Sequence, residues 1–258
     1  MSTLWKRYGE LNLGGRVLPM PPMNIEFEDE FSIYTKSTAK IKIFNPAKET
    51  VSVAKKKGTL VTMSAGYEED FGTCFSGMIY KHELTAGNTS ELSIEVSDRS
   101  DLWQSAIVNR SFRDVIKASD VAKDLLAQHG LTGRIEPAED ITYGRGISFA
   151  GRPLSVCLKQ LAKDTKSELF FRNGNVLIIA PKKGYQQGYY LSAQSGLLSS
   201  EETSTGFSIK TLFLYQLGAG SICKLALSDG NIDIKVTKGK RFFSVYGDAG
   251  IEFEAVRI

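Results

Sequence analysis

The sequence predicts a mainly β protein with an α+β part, in which two small β-barrel domains are joined by a small two-helix α+β module. Three observations support this fold class. Apolar and polar residues alternate with period two, as in half-buried strands, in the first and last thirds of the chain. A helical period replaces this alternation in the middle third. Glycine-rich turn signals separate the short predicted strands.

The chain is expected to begin with an extended N-terminal arm, residues 1–23. Residues 19–23 read Pro-Met-Pro-Pro-Met, and consecutive prolines exclude a helix there. The first β-barrel domain is predicted for residues 24–100, because alternation is clear at Ile41–Ile43 and again at Leu92–Val96. Turns between its strands are expected at Asn45-Pro46, Gly58, Gly72, Gly77 and Gly87-Asn88.

The α+β module is predicted for residues 101–183. Ser119 can cap a helix that runs through Gln128, and Gly130 stands where a left-handed residue is expected after the helix. Arg152-Pro153 opens a second helix. Asn173-Gly174 between two apolar runs predicts a β-hairpin. The second helix should bury one stripe, formed by Leu154, Cys157, Leu158, Leu161 and Ala162.

Residues 184–258 are predicted to be a connector followed by the second β-barrel domain. The polar, glycine- and serine-rich stretch from residue 182 to residue 206 is expected to be irregular. Alternation at Ile232–Val236 and at Ile251–Phe253 then predicts strands. The expected turns are Gly218, Gly220, Asp229-Gly230, Gly239 and Gly247.

Composition excludes several classes of protein. A net charge of +3 over 258 residues is too small to make nucleic-acid binding the main function. No apolar run approaches the roughly 20 residues that span a bilayer, and the N-terminus lacks the apolar core of a signal peptide. We therefore expect synthesis to end in the cytoplasm of the cell that makes the protein. Cys74, Cys157 and Cys223 are odd in number and far apart, which predicts buried, reduced thiols.

Six segments of the chain carry a family resemblance: residues 41–45, 65–67, 75–79, 191–198, 206–213 and 242–248. In this serial order they resemble the baseplate hub proteins at the tail tip of bacteriophages. No single motif is diagnostic, and the match extends from about residue 24 to the end of the chain. Ser199-Ser200 and Tyr215-Gln216 stand where relatives often have proline, which leaves the local turn geometry open.

The resemblance implies a structural subunit of the virion. Two tube-like barrels in one chain would let a homotrimer present six barrels, so that its ring adapts the six-fold tail tube to the three-fold central spike. The implied partners are further copies of the chain, the tail tube or distal tail protein ring, the spike and the tape-measure protein. DNA would pass only in transit through the exit channel. No membrane span and no enzymatic activity are expected.

Four patterns in the sequence partly match catalytic or binding motifs. His82-Glu83 begins like a zinc-protease helix, but position 86 lacks the second histidine. Ser195 lacks the flanking glycines of a nucleophile elbow. The glycines of residues 143–151 do not have phosphate-loop spacing, which favours a turn and a strand. Glu68-Glu69-Asp70 is more typical of a solvated loop than of facing catalytic carboxylates. We predict no catalytic, metal-binding or cofactor-binding residues and no cofactor.

Two charge runs have two interpretations each. Residues 55–57, three lysines before Gly58, are most simply an exposed turn, and the acidic residues Glu26, Glu28, Asp29 and Glu30 are most simply a solvated edge. Alternatively, one of these runs lines the channel, where inward-facing carboxylates would avoid holding the phosphates of passing DNA.

Two other functions remain open at this point. One is a tail-associated cell-wall hydrolase, and the other is the hub of a related contractile injection or type VI secretion system. The sequence does not distinguish contractile from non-contractile tails.

Overall fold

A computed structural model describes residues 6–33, 35–68, 70–87, 89–98, 105–172, 174–181, 183–228 and 230–258. The chain divides into two compact units. The first unit combines residues 1–98 with residues 187–258, and the second comprises residues 99–186. The two β segments that the sequence suggested as separate domains therefore form one compact unit. The second unit is an insertion whose bounds lie close to the predicted module.

Antiparallel strands make up most of the first unit. Its N-terminal half contains β1 (Arg7–Leu13), β2 (Arg16–Met20), β3 (Ile25–Ser32), β4 (Thr38–Phe44), α1 (Lys48–Ala54), β5 (Leu60–Tyr67), β6 (Asp70–Thr85) and β7 (Glu91–Ser97). Its C-terminal half contains β15 (Tyr185–Leu191, which begins in the second unit), a 3-10 turn (Ala193–Ser195), β16 (Leu197–Thr203), β17 (Gly206–Thr211), β18 (Ser221–Leu227), β19 (Gly230–Ser244) and β20 (Ala249–Arg257).

One continuous sheet joins the two halves. Its main path runs β16-β17-β20-β19-β3-β4-β7-β6-β5-β1-β2, and β18 pairs with β15 and β19 beside this path. The halves meet where β3 pairs with β19, with Phe27 opposite Phe243 and Asp29 opposite Arg241. The beginning of β19 pairs with β18 and its end pairs with β3. One strand therefore belongs to both halves.

The core confirms the alternation read from the sequence. Ile41 and Ile43 are fully buried on β4, as are the apolar positions of β7. Burying one face of each strand in this way is the main stabilising contribution to such a sheet. Two apolar clusters result, and they exchange residues: Phe213 and Phe243 pack in the cluster of the N-terminal half, whereas Phe31 packs in that of the C-terminal half. The assignment of the two halves as barrels stays a prediction.

The N-terminal segment corrects the expectation of an extended arm. Residues 7–20 form the hairpin β1–β2, and β1 also pairs with β5. The segment joins the sheet because Leu11, Leu13, Leu18 and Met20 alternate with polar residues and are buried. Pro19 is tolerated because β2 pairs only with β1 in the sheet path, so a missing N–H is harmless at this edge.

The supposed connector and several supposed turns are also strands. Residues 182–206, expected to be irregular, contain β15 and β16. Gly72 and Gly77 lie inside β6, and Gly239 lies inside β19. These glycines allow close packing: a Cβ on Gly77 would lie 2.3 Å from the carbonyl oxygen of Ser97. The predicted turn residues Asn88 and Asp229 lie outside the described residues.

The second unit is a small α+β module, as predicted. It contains β8 (Ile107–Phe112), β9 (Ile116–Lys117), α2 (Ala118–Gln128), β10 (Thr132–Glu136), β11 (Thr142–Tyr143), β12 (Ile147–Pro153), α3 (Leu154–Asp164), β13 (Glu168–Arg172) and β14 (Asn175–Ile179). Strand β14 pairs in parallel with β10 and in antiparallel with β13. Strands β13 and β14 are adjacent in sequence and pair in antiparallel, as the predicted hairpin requires, and Asn173 of its predicted turn lies outside the described residues.

The two helices of the module, α2 and α3, lie close to their predicted positions. All five residues of the predicted stripe on α3 are buried, and Gly130 has the expected left-handed φ of 63°. Ser119, however, lies inside α2 and not at its cap. Its N–H and hydroxyl donate to the carboxylate of Asp140 at 3.0 Å and 2.9 Å, so a distant carboxylate satisfies the start of this helix. Among the described residues, none of the helices is long and apolar enough to cross a bilayer.

Candidate interface on the joined sheet

A buried ion pair holds the two halves of the first unit together. Arg241 on β19 lies directly opposite Asp29 on β3. Its Nε and Nη2 donate to the two carboxylate oxygens at 2.9 Å and 2.6 Å, which is bidentate geometry. The exposed fractions are 4% for Arg241 and 1% for Asp29. Charge at the centre of the junction is thus enclosed by protein.

Arg241 also binds the loop between β17 and β18. Its Nη1 donates to the carbonyl oxygens of Tyr215 and Leu217 at 3.2 Å and 3.1 Å. Its guanidinium carbon lies 5.2 Å from the centre of the Phe31 ring. Arg241 therefore links β3, β19 and this loop at one point.

The electrostatics of the pair balance two effects. Burial raises the pKa of Asp29 above its ordinary value, and the charge of Arg241 opposes that rise. A bonded pair in this setting adds modest net stability, whereas removing one partner leaves an uncompensated buried charge. The pair is accordingly suited to fixing the register of β3 on β19.

The solvent-facing side of the same strands carries paired charges. We call it the charged face. Glu residues on β3 and β20 alternate with Lys residues on β4, β19 and β17, strand by strand across the junction. The closest of these pairs are Lys240–Glu28, Lys238–Glu254 and Lys210–Glu252, each at 2.9 Å, followed by Lys42–Glu26 at 3.9 Å. Exposed pairs of this kind contribute little stability each, but together they make the middle of the sheet nearly neutral.

This arrangement corrects one interpretation of the acidic run. Strand β3 is central in the sheet, so Glu26, Glu28 and Glu30 do not lie on an edge. Asp29 is buried and cannot line a channel. Glu26 and Glu28 face lysines, which cancel much of the repulsion that they would exert on DNA. The lysines 55–57 are exposed at the end of α1, as predicted.

The residues weighed as catalytic candidates are spread through the fold. His82 lies on β6 and not on a helix. Ser195 forms a capping box with Ser192 in the 3-10 turn. Glu68 pairs with Lys6 at 3.0 Å in the turn after β5, while Glu69 lies outside the described residues. Residues 143–151 form the turn and strand that were predicted, with Gly146 at a φ of 72°.

Within the described ranges, no three His, Cys, Asp or Glu side chains converge as a metal site would require. The three cysteines are free and buried, as predicted. Burial raises the pKa of Cys74 to about 12, so its thiol stays protonated. It donates to the carbonyl oxygen of Met63 at 3.4 Å.

Sequence reasoning missed the Asp29–Arg241 pair. Its two members are 212 positions apart, so no local pattern connects them. One signal was present: Asp29 interrupts the inward series Ile25, Phe27 and Phe31 on β3. A charged residue at an inward position of an alternating strand requires a buried partner.

Comparison with known proteins gives one family model and several solved structures. The model, described as the Alg8 N-terminal domain, matches residues 32–144, less than half of the chain. That range crosses from the first unit into the second and corresponds to neither. No curated protein matches the sequence.

Solved structures of tail proteins match the fold over nearly its whole length. The 43 kDa tail protein of prophage MuSo2 from Shewanella oneidensis has a TM-score of 0.73 at 10% identity, covering 98% of this chain and 97% of that one. A tail protein from Neisseria meningitidis has a TM-score of 0.68 at 9% identity, with the same coverage.

A component of the Escherichia coli type VI secretion system, itself structurally similar to bacteriophage tail proteins, gives 0.64 at 13% identity. That match covers 96% of this chain and 76% of the other. The resemblance read from the sequence is confirmed at the level of the fold, which phage tail proteins and secretion-system proteins share with this chain.

Proposed function

We propose that this chain is a structural hub subunit of a phage tail tip or baseplate. Three copies form a ring that adapts the six-fold tail tube to the three-fold central spike and lines the channel through which DNA leaves. The partners are the tail tube or distal tail protein ring, the spike and the tape-measure protein. The ring belongs to the virion and is assembled in the host cytoplasm.

The observation that carries this proposal is the fold match to two tail proteins over 97% of each of their chains. The same matches cover 98% of this chain. The chemistry of the described residues agrees with a scaffold, because the carboxylates and lysines of the charged face bind one another.

The architecture of the first unit offers a route to the change of symmetry. Two β halves with their own apolar clusters lie side by side in one sheet. Three such chains present six halves, which suits a hexameric neighbour, while the assembly as a whole keeps three-fold symmetry. Rings of this kind need one surface of each copy to contact a different surface of the next.

The oligomeric state and location of the protein test the proposal. Mass photometry of the purified chain should give the mass of three copies, and a reconstruction of the particle should place a three-fold ring at the end of the tail tube. A stable monomer or hexamer, or a position elsewhere in the particle, would contradict it.

The E. coli match favours a second candidate, the hub of a type VI secretion or other contractile injection system, because that protein is a component of such a system. Immunogold labelling distinguishes the two, since label at the tail tip of DNA-filled virions supports the phage hub. Label on DNA-free contractile particles supports the secretion hub.

A cell-wall zymogram tests the hydrolase alternative. The scaffold proposal expects no clearing with purified protein. Clearing that is reproduced with an independently purified sample of the same chain would support a hydrolase instead.

A further inference from the structure

The two ends of the joined sheet carry charges of opposite sign that form no ion pair with another described residue. Strands β16 and β2 are the first and last strands of the main path, and each pairs with a single neighbour along it. Several charges in the middle of the sheet are paired within the chain, as on the charged face. No ion pair joins the end charges to any other described residue.

One end is basic. The turn between β1 and β2 lies against the start of β5 and the loop before it: the N–H of Gly14 donates to the carbonyl oxygen of Leu60 at 2.9 Å, and a Cβ on Gly14 would lie 2.9 Å from Cγ2 of Thr59. This contact brings Arg16 to the same corner as the three lysines at 55–57, and all four side chains are exposed. Val17 and Leu60 add apolar surface there, with exposed fractions of 51% and 42%. We call these six residues the basic corner.

The other end is acidic. Glu201 and Glu202 are exposed near the end of β16. Leu198 on the same strand has an exposed fraction of 63%. Every residue of β16 is exposed or only partly buried, so both faces and one edge of the strand contact solvent. Long exposed edges of this kind are an aggregation hazard unless a partner covers them.

We infer that the ring closes by a contact between the basic corner of one copy and the acidic edge strand β16 of the next copy. This inference rests on the proposed function and names the surfaces that such a ring needs. The surfaces are opposite in charge, each has an apolar patch, and they lie at opposite ends of one sheet. A head-to-tail ring requires that arrangement, because every copy must offer both surfaces at once.

Charge reversal tests the contact. Glu201→Lys with Glu202→Lys places positive charge on both surfaces, and K55E/K56E/K57E places negative charge on both. Like charges facing each other are costly, so each variant should raise the protein concentration needed for half-assembly by about tenfold or more. Combining all five substitutions restores complementarity and should restore the three-copy mass.

Mixing the two reversed variants gives a sharper result. Only unlike copies are then complementary, and a closed ring of three always puts two like copies side by side. The mixture should therefore give even-numbered or open assemblies and no closed ring of three. Mass photometry at low and high salt reads all of these states, and high salt should weaken the native ring.

The matched control is Asp114→Lys with Glu139→Lys, two exposed carboxylates of the second unit. It makes the same change in net charge as Glu201→Lys with Glu202→Lys and should keep the native assembly. Thermal unfolding of every variant checks that the fold is intact.

Each outcome bears on a different statement. If the native chain forms trimers but both reversed variants assemble as well as it does, the contact inferred here is wrong and the hub proposal stands. If the native chain never forms trimers, the hub proposal fails, and the ring contact fails with it.

Discussion

Arg241 lies opposite Asp29 across the β19–β3 junction, 212 positions away in sequence, and binds its carboxylate through two hydrogen bonds. The pair is enclosed by protein and is the point at which the two halves of the first unit are held in register. Removing one member of this pair should therefore cost more stability than removing one member of an exposed pair on the charged face.

Replacing Arg241 with methionine should destabilise the protein strongly. Arg241→Met leaves Asp29 buried without its partner, and breaking a buried pair costs about 3–5 kcal/mol. Urea denaturation followed by circular dichroism measures the loss. The double variant with Asp29→Leu should regain much of the stability, because no charge is then left uncompensated.

The neighbouring Lys240 is the matched control for that experiment. Its pair with Glu28 is exposed, so Lys240→Met should change stability by less than about 1 kcal/mol. If Arg241→Met and Lys240→Met lower the free energy of unfolding equally, burial does not make the junction pair more important for stability than the exposed pair.

Adding one methyl group at Gly239 should also destabilise the junction. An alanine Cβ there would lie 2.6 Å from the carbonyl oxygen of Glu252 and 2.6 Å from Cβ of Phe253. Overpacking of this kind costs about 1–3 kcal/mol. Gly144→Ala, which meets nothing within 4 Å, is the control. Indistinguishable denaturation midpoints for the two variants would refute the predicted close packing.

Cys74 should resist thiol reagents in the folded protein. Burial raises its pKa to about 12, and the thiolate is the reactive form. Labelling with a chromogenic disulfide at pH 8 should proceed only as fast as the protein opens, and should become rapid in denaturant. Rapid labelling of Cys74 in native buffer, located by mass spectrometry, would rule out its burial.

The same pKa shift gives a pH dependence with a definite sign. The folded thiol holds its proton more tightly than the unfolded thiol, whose ordinary pKa is 9.0. The stabilising contribution is therefore complete below pH 9 and is lost as the pH rises towards 12. A Cys74→Ala variant should show a shallower loss of stability over that alkaline range.

Glu95 should titrate below its ordinary range. A hydrogen bond from Lys81 at 2.7 Å lowers the pKa of its carboxyl, helped by one from Tyr80 at 2.9 Å. The associated stability is present above the ordinary value of 4.5 and is lost as the pH falls through the lower folded value.

Carboxyl-detected NMR measures the pKa of Glu95 directly. Lys81→Met should move it upward, and Tyr80→Phe should move it less, following the order of the two contributions. An unchanged pKa in Lys81→Met would remove the hydrogen bond as the cause.

Local patterns predicted much of this fold. The period-two runs at Ile41–Ile43 and Leu92–Val96 identified strands, and the stripe from Leu154 to Ala162 identified a buried helix face. These signals succeed because each depends only on residues a few positions apart. The start of α2 lies two residues before the predicted one, at N-cap Lys117 instead of Ser119, because Asp140 caps the helix from 21 positions beyond Ser119.

The features that the sequence did not predict depend on residues that are far apart in the chain. Proline-rich residues 19–23 suggested an arm, yet Leu11 and Met20 are buried in a hairpin that only its pairing with β5 explains. Gly77 looked like a turn, but its lack of a side chain serves the close approach of Ser97 from β7. The junction followed the same rule, since Lys240–Glu28 and Arg241–Asp29 both join strands from opposite ends of the chain.

The shared strand β19 has a consequence for biosynthesis. The edge of β3 that β19 covers has no partner strand until residues 238–244 have left the ribosome. Asp29 has no ion-pair partner until the same stage, because Arg241 lies within those residues. A polypeptide that ends before residue 238 therefore leaves the edge of β3 without a hydrogen-bonded neighbour and the carboxylate of Asp29 without its ion pair. Such fragments lack the completed β3–β19 junction and should be less stable than the full chain.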